Sequence, residues 1–307
     1  MKSISLFLLL FLTFSLQAQV PFDEFFTDRT MRFDFMMAGN STTTKVYPVS
    51  FREEPFWGGS LTNLTDPFGY GNFRYEIFDA VTGNLLYSKG FCTLYQEWQT
   101  TAEAKTMERV FHEVATFPFP KNKVSFVLSI RGRDGKFSKL YETAIDPSGY
   151  FITREKPDAA LATRIMGTGD PHTSLDIAFI AEGYTRGEME KFRNDVKRMA
   201  EIIFAEAPFD KYKDQINIWA VEAPSQESGT DVPGEGIYVN TALSSSYYTF
   251  DVDRYLTTQD IRRVNDYAAA APHDQIIVLI NSTRYGGGVY TTITAPSPQI
   301  TSSHLRS

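Results

Sequence analysis

The sequence predicts two fold types in succession, an all-β antiparallel sandwich followed by an incomplete α/β domain, and three observations carry the prediction. Up to about Tyr150, apolar residues recur with period two, the pattern of half-buried strands. A connector bearing Pro147, Gly149 and Pro157 interrupts that pattern. Beyond it, apolar runs of strand length alternate with three- and four-residue apolar spacing, as in helices packed on a buried sheet.

Residues 1–18 read as a cleavable signal peptide. Lys2 precedes the run Leu6 to Leu12, which is too short to cross roughly 30 Å of hydrocarbon as a helix, and Ser15-Leu16-Gln17-Ala18 ends on a small residue. No later segment is long and apolar enough for a transmembrane helix. The mature chain is therefore expected in a secreted, periplasmic or cell-envelope location of a bacterium. Cys92 is the only cysteine, so no intramolecular disulfide can form and the folded cores must supply the stability. A net charge of −7 argues against a nucleic-acid partner, because no basic stripe is available to displace counterions. Length leaves room for two domains; oligomeric state is not legible.

The expected sandwich spans 19–150. Met31, Phe33, Phe35 and Met37 face one way, against Arg32 and Asp34. Phe73, Tyr75 and Ile77 alternate with Arg74 and Glu76 and turn back through Val81 to Asn84 into Leu85-Leu86-Tyr87. Val124, Phe126, Leu128 and Ile130 pair with Phe137 to Ile145 across Arg133-Asp134-Gly135-Lys136, where Asp-Gly suits a hairpin turn that needs φ > 0. No stretch here reads convincingly as a helix. Several short strands at this spacing indicate two packed antiparallel sheets.

After a linker at 151–157, the expected α/β unit spans 158–290. Leu175 to Ala181 is a buried strand. Thr185 and Glu188 form a capping box, followed by Met189, Phe192, Val196, Met199 and Ile203 on one helical face. Ile216 to Val221 is a second strand, and Glu222 to Ser246 a long polar loop. Thr257 with Asp260 caps a helix carrying Ile261, Val264, Tyr267 and Ala268, and Ile276 to Ile280 is a third strand. Leu175 to Ala181 and Ile276 to Ile280 are apolar on both faces, so their sheet needs cover on both sides. Lacking whatever would pack beyond Tyr290, this half is expected to be marginal, while the sandwich folds by itself.

Generic chemistry is scarce. His112-Glu113-Val114-Ala115-Thr116 begins like the zinc motif H-E-x-x-H, but Thr116 stands where the second histidine is needed, and the segment reads as a strand. His112 is expected to be an exposed strand residue, His172 a loop residue and His273 a helix-exit residue. Gly167-Thr168-Gly169 precedes a strand instead of following one, which speaks against a phosphate loop. Asp251-Val252-Asp253 offers two carboxylates, too few for a cation site without further oxygens. Glu227, Asp231 and Glu235 in the polar loop are candidates for general acid–base work, with loop capping as the plainer role.

Longer strings are more specific. Ala181-Glu182-Gly183-Tyr184-Thr185, Trp219 to Ser225, Glu227 to Gly236, Tyr255-Leu256-Thr257-Thr258 and Tyr285-Gly286-Gly287-Gly288-Val289-Tyr290 together resemble the IgA-peptidase family of secreted zinc metallopeptidases. Its Bacteroides-type members carry an N-terminal β-sandwich before a zincin-like domain. The resemblance covers nearly the whole mature chain to Tyr290. It implies peptide-bond hydrolysis of a protein or peptide substrate, with a glycine-rich strand like Tyr285 to Tyr290 followed by a helix bearing H-E-x-x-H. In that motif two histidines bind zinc and the glutamate activates the metal-bound water. The sequence departs at this place: after Tyr290 it reads Thr291 to Ser307, with Pro296, Pro298 and a lone His304, and no H-E-x-x-H. The segment 291–307 is expected to be a disordered, aberrant tail of a truncated or out-of-frame ending. The resemblance thus implies a metallopeptidase lineage without catalytic or metal-binding residues of its own, zinc belonging to full-length relatives. Two alternatives stand beside it, a non-enzymatic extracellular binding protein built on the sandwich and a hydrolase of another class.

Overall fold

The computed structural model describes residues 20–154, 160–290 and 293–294. The expected signal peptide lies outside the described residues, as do 155–159 of the connector, Thr291 and Thr292, and 295–307. Among the described residues no helix is long and apolar enough to cross a membrane.

A short helix α1 (Phe22–Phe25) leads into the long strand β1 (Phe26–Gly39) and its partner β2 (Thr44–Glu54). Then come β3 (Phe73–Asp79), β4 (Leu85–Phe91), helix α2 (Leu94–Trp98), β5 (Arg109–Pro120), β6 (Val124–Arg131), β7 (Phe137–Ile145) and the two-residue β8 (Ile152–Thr153). They build two four-stranded sheets, in the orders β5-β1-β2-β8 and β4-β3-β6-β7. Register explains the period-two pattern: Phe33 pairs with Phe51 on β2 and Ala115 on β5, so one face of the first sheet is continuously apolar. That face meets the other sheet. Phe33 stacks on Phe51 at 4.5 Å and meets Phe126 edge-on at 5.0 Å, while the Tyr75 hydroxyl donates to the Thr116 carbonyl at 2.6 Å.

Three details differ from expectation. β8 joins β2 in parallel, so the first sheet is not wholly antiparallel. Helix α2 was not foreseen; Thr93 caps it by accepting from the Gln96 amide, and Leu94, Tyr95 and Trp98 bury one side of so short a helix that no periodicity announces it. In the β6–β7 turn only Gly135 adopts positive φ (+79°), so glycine alone, and not the Asp-Gly pair, supplies the left-handed backbone.

The second unit is a six-stranded mixed sheet. Its elements are β9 (Ala162–Met166), β10 (Leu175–Glu182), α3 (Met189–Phe204), α4 (Phe209–Tyr212), β11 (Ile216–Val221), α5 (Ile261–Ala268), β12 (Gln275–Ile280), β13 (Val289–Tyr290) and β14 (Ile293–Thr294). The strand order is β13-β14-β12-β10-β11-β9. β10 is the central strand and runs parallel to both β11 and β12, while β9 was not anticipated and pairs antiparallel with β11. Because β11 and β12 flank β10 on opposite sides, right-handed crossovers put α3 and α5 on opposite faces, so this sheet is covered on both. Ile293 and Thr294, expected in a disordered tail, instead pair with β12 in parallel and with β13 antiparallel. The capping box of Thr185 and Glu188 is present and α3 buries Met189, Phe192, Val196 and Met199. The cap of α5 is Asp260, whose carboxylate accepts from the Arg263 amide, and not Thr257.

The two units are not separate cores. Their buried apolar residues form one continuous cluster, and α5 packs against both β10 and β5. Arg32, on the outer face of β1, is wholly buried there. It donates to Asp34 at 2.7 and 3.1 Å, to Glu54 at 3.2 Å, to Asp266 of α5 at 2.7 Å and to the Arg262 carbonyl at 3.0 Å. Ser50 donates to the second Asp34 oxygen, and His112 Nε2 stands 3.1 Å from the first. Burial works to lower the Arg32 pKa, but Glu54, Asp34 and Asp266 outweigh it and hold the guanidinium charged. Burial pushes Glu54 up to about 7, against the pull of Arg32. Burial acts to raise Asp34 too, yet bonds from His112 and Arg32 keep it below its ordinary value.

Candidate functional site

In an open sheet with helices on both faces, ligands bind beyond the carboxyl ends of strands where the connections diverge. Here that place is the crevice between the ends of β10 and β12, at Glu182-Gly183-Tyr184 and Asn281-Ser282. Glu182 closes an apolar run and is buried completely. Its carboxylate accepts from the Thr241 hydroxyl at 2.6 Å, the Leu243 amide at 2.8 Å and the Ser245 amide at 2.9 Å, so one side chain fixes the end of the long polar loop. Ser225 Oγ accepts from the Gly183 and Ala242 amides. Gly183 takes φ +70°, and a β-carbon there would collide with the Gly229 carbonyl, so the loop and strand end touch backbone to backbone.

The rim of the crevice is equally occupied. Asn281 Nδ2 donates to the Gly183 carbonyl, Glu188 and Ser228, and Lys191 donates to Asn281 Oδ1 and Asp195. The Tyr184 hydroxyl donates to Asp195 at 2.9 Å, and burial together with Asp195 raises its pKa, so it stays a donor. Burial tends to raise Glu188, but bonds from Thr185, Ser228 and Asn281 dominate and keep it below the usual range. These groups satisfy one another and make a rigid polar floor.

The loop carboxylates singled out in the sequence do not converge. Glu227 accepts from the Asn240 amide at 2.7 Å and Asp231 from the Val239 amide at 2.8 Å, while Glu235 pairs with Arg284. Each holds the loop in shape. The side chain that organises this region is Glu182, which the sequence reading did not single out, although a charge ending a buried strand is a usable signal.

The histidines are dispersed as well. His112 lies on β5 as expected, but it is only slightly exposed and belongs to the Arg32 cluster. His172 is in a loop, with Nδ1 3.2 Å from the Gly59 carbonyl and Nε2 3.4 Å from Asp28. His273 follows α5 and its Nδ1 is 3.0 Å from the Ala271 carbonyl; burial pulls its pKa down. His304 lies outside the described residues. Among the described residues no group of three or more His, Cys, Asp or Glu side chains could hold a metal ion.

A cleft of about 780 Å3 lies where the units meet, between Thr101 to Arg109 and the loop around Ser244 to Gln259. Among the described residues the non-glycine positions with left-handed backbone are Ser244 (φ +52°), Tyr248 (+64°), Phe250 (+53°) and Asp251 (+63°), and all four line this cleft. Each such residue costs about 1–3 kcal/mol and persists only where its surroundings hold it.

Two family profiles match the chain, Peptidase M64 N-terminus over residues 21–142 and IgA Peptidase M64 over residues 163–300. These matches define a metallopeptidase-family protein. The chain belongs to the IgA-peptidase (M64) family. No curated protein matches it. The second match continues past Tyr290 to residue 300, so family-like sequence extends further than the expected boundary. M64 is a zinc-peptidase family, but the described residues do not fit zinc: their histidines are separated and each lies beside a polar group of its own surroundings, His112 beside Asp34, which Arg32 already engages.

Proposed function

We propose that this protein is an exported member of the IgA-peptidase family whose 307 residues supply the family's scaffold without supplying peptidase activity. On this reading the signal peptide is residues 1–18, a sandwich domain follows at 19–150, and the later unit is a zincin-like domain. The location is the cell envelope or the exterior of a bacterium. The relevant reaction is hydrolysis of a peptide bond in a protein, which in this family needs zinc to polarise the carbonyl and activate water.

The observation that carries the reading is the coexistence of two family matches running along the chain with a sequence that contains no H-E-x-x-H. A catalytic zinc needs three protein ligands and an open position, and a substitute set does not come together among the described residues. The alternative of a different hydrolase using Glu227, Asp231 and Glu235 loses ground, because each is engaged in holding its own loop.

The test is direct. The purified 307-residue chain is expected to hold no stoichiometric zinc after dialysis and to leave a fluorogenic casein uncut. About one zinc per chain with chelator-sensitive cleavage would overturn the proposal. Export is checked separately: amino-terminal sequencing of the protein recovered from the envelope should begin near Gln19, and a chain starting at Met1 would refute the signal peptide.

A further inference from the structure

The cleft between the units is built in a way its role in the fold does not require. Tyr248 and Phe250 are bulky residues held in a left-handed backbone that glycine would adopt without strain. The loop is kept there from several sides. Ser246 and Thr257 exchange two backbone hydrogen bonds, the Thr249 and Thr257 hydroxyls meet at 2.7 Å, and Phe250 packs edge-on against Tyr255. Tyr248 fills the space beside Gly234, where any β-carbon would strike its ring. The opposite wall is fixed too: Tyr255 donates to Glu97 at 2.5 Å across the junction, and Arg109 pairs with Glu103 at 3.0 Å.

Inside this rigid frame some polar groups are left unused. The side chains of Ser244, Asp251 and Gln259 line the cleft, are exposed, and make no hydrogen bond within the described residues. Together they offer both donors and acceptors, beside the rings of Tyr248 and Phe250. Among the described residues the charges lining the cleft are the Glu103–Arg109 pair and Asp251, so they offer no cationic surplus for a phosphate or sulfate. Nor is it an open strand edge for an extended peptide. The amides of Ser246, Tyr247, Thr249 and Asp251 are spent on Thr257, Asp231, Tyr255 and Tyr248 within the loop.

We propose that this cleft is a binding site for a neutral oligosaccharide, whose hydroxyl groups both donate and accept and whose ring faces pack on aromatic side chains. The inference is independent of peptidase activity. It predicts a ligand for the scaffold itself, held by Asp251 and Gln259 and backed by Tyr248 and Phe250.

The probe is a glycan microarray carrying neutral, sialylated and sulfated glycans, read with the labelled 307-residue chain beside a peptide array. Retention on neutral glycans is expected, with affinity at least about tenfold weaker in Asp251→Gly and in Gln259→Ala, since each removes a hydrogen-bonding group from the site. Asp251→Gly is the informative variant. Glycine accepts φ +63°, and the lost side chain bonds nothing in the fold, so the melting temperature should hold or rise while binding falls. No retention on any neutral glycan, or retention that both variants leave unchanged, would overturn the site. So would preferred binding of sulfated glycans or of peptides that these substitutions weaken.

Discussion

Replacing Arg32 by alanine should be among the most damaging single changes in the chain. The side chain is 0% exposed and donates to three carboxylates and one carbonyl at 2.7–3.2 Å. Alanine leaves Asp34 and Glu54 buried beside Asp266 with their common counter-charge gone. Removing one partner of a buried ion pair costs about 3–5 kcal/mol. At about 2.1 cal/mol/K of unfolding entropy per residue, that corresponds to a fall in melting temperature of about 5–8 °C for a chain of this length. Two of the lost bonds go to α5, so the junction between units should loosen first. The assay is urea unfolding of wild type and variant, followed by tryptophan fluorescence, at pH 8 and pH 5. At pH 5 Glu54, which burial already pushes up to about 7 in the intact protein, can take a proton and lighten the penalty, so the deficit should be larger at pH 8. A deficit below about 1 kcal/mol, the range of an exposed ion pair, would refute the reasoning, and so would equal deficits at the two pH values.

Two further outcomes follow from buried acids. Glu182→Ala strands the Thr241 hydroxyl and the Leu243 and Ser245 amides, at a cost of at least about 3 kcal/mol; hydrogen exchange should accelerate at Leu243 and Ser245, and unchanged protection there would count against the hub role. Burial raises Glu113 to about 8, Glu54 to about 7 and Asp274 to about 6, from ordinary values of 4.5, 4.5 and 3.8. A folded pKa above the unfolded one means that folding takes up protons between the two values, so stability should decline as pH rises from about 4 to 8. Asp34 and His273 act in the opposite sense: the Asp34 contribution is lost as pH drops through and below the ordinary carboxylate range, and that of His273, held below 6.5 by burial, as pH falls through the histidine range, but the three raised acids outnumber them. Urea unfolding that shows greater stability at pH 8 than at pH 5 would contradict this.

What could be read from sequence was whatever depends on neighbours. The alternation of Met31, Phe33, Phe35 and Met37 gives β1, and three- and four-residue spacing gives α3, because both patterns are local consequences of backbone geometry. β9 escaped notice since only five residues, Arg164 among them, sit on a sheet edge where polarity is tolerated. The helix at Ile261 to Ala268 is legible in its spacing but its docking is not, because its Asp266 is 234 positions from its partner Arg32. Arg32 and Asp34 look like an ordinary solvated face in the strand pattern, and only the arrival of a distant helix makes that face an interior. The same holds for Glu182: its three donors come from a loop about sixty residues on, which no periodicity encodes.

That separation has a consequence for the order of folding. β1, β2, β5 and β6 all precede Asp266 in the chain, and Arg32 does so by 234 positions. A sandwich that closes before α5 docks keeps Arg32, Asp34, Glu54 and His112 on a hydrated, charged outer face. Desolvation of those charges therefore belongs to the docking of the two units and not to the closing of the sandwich.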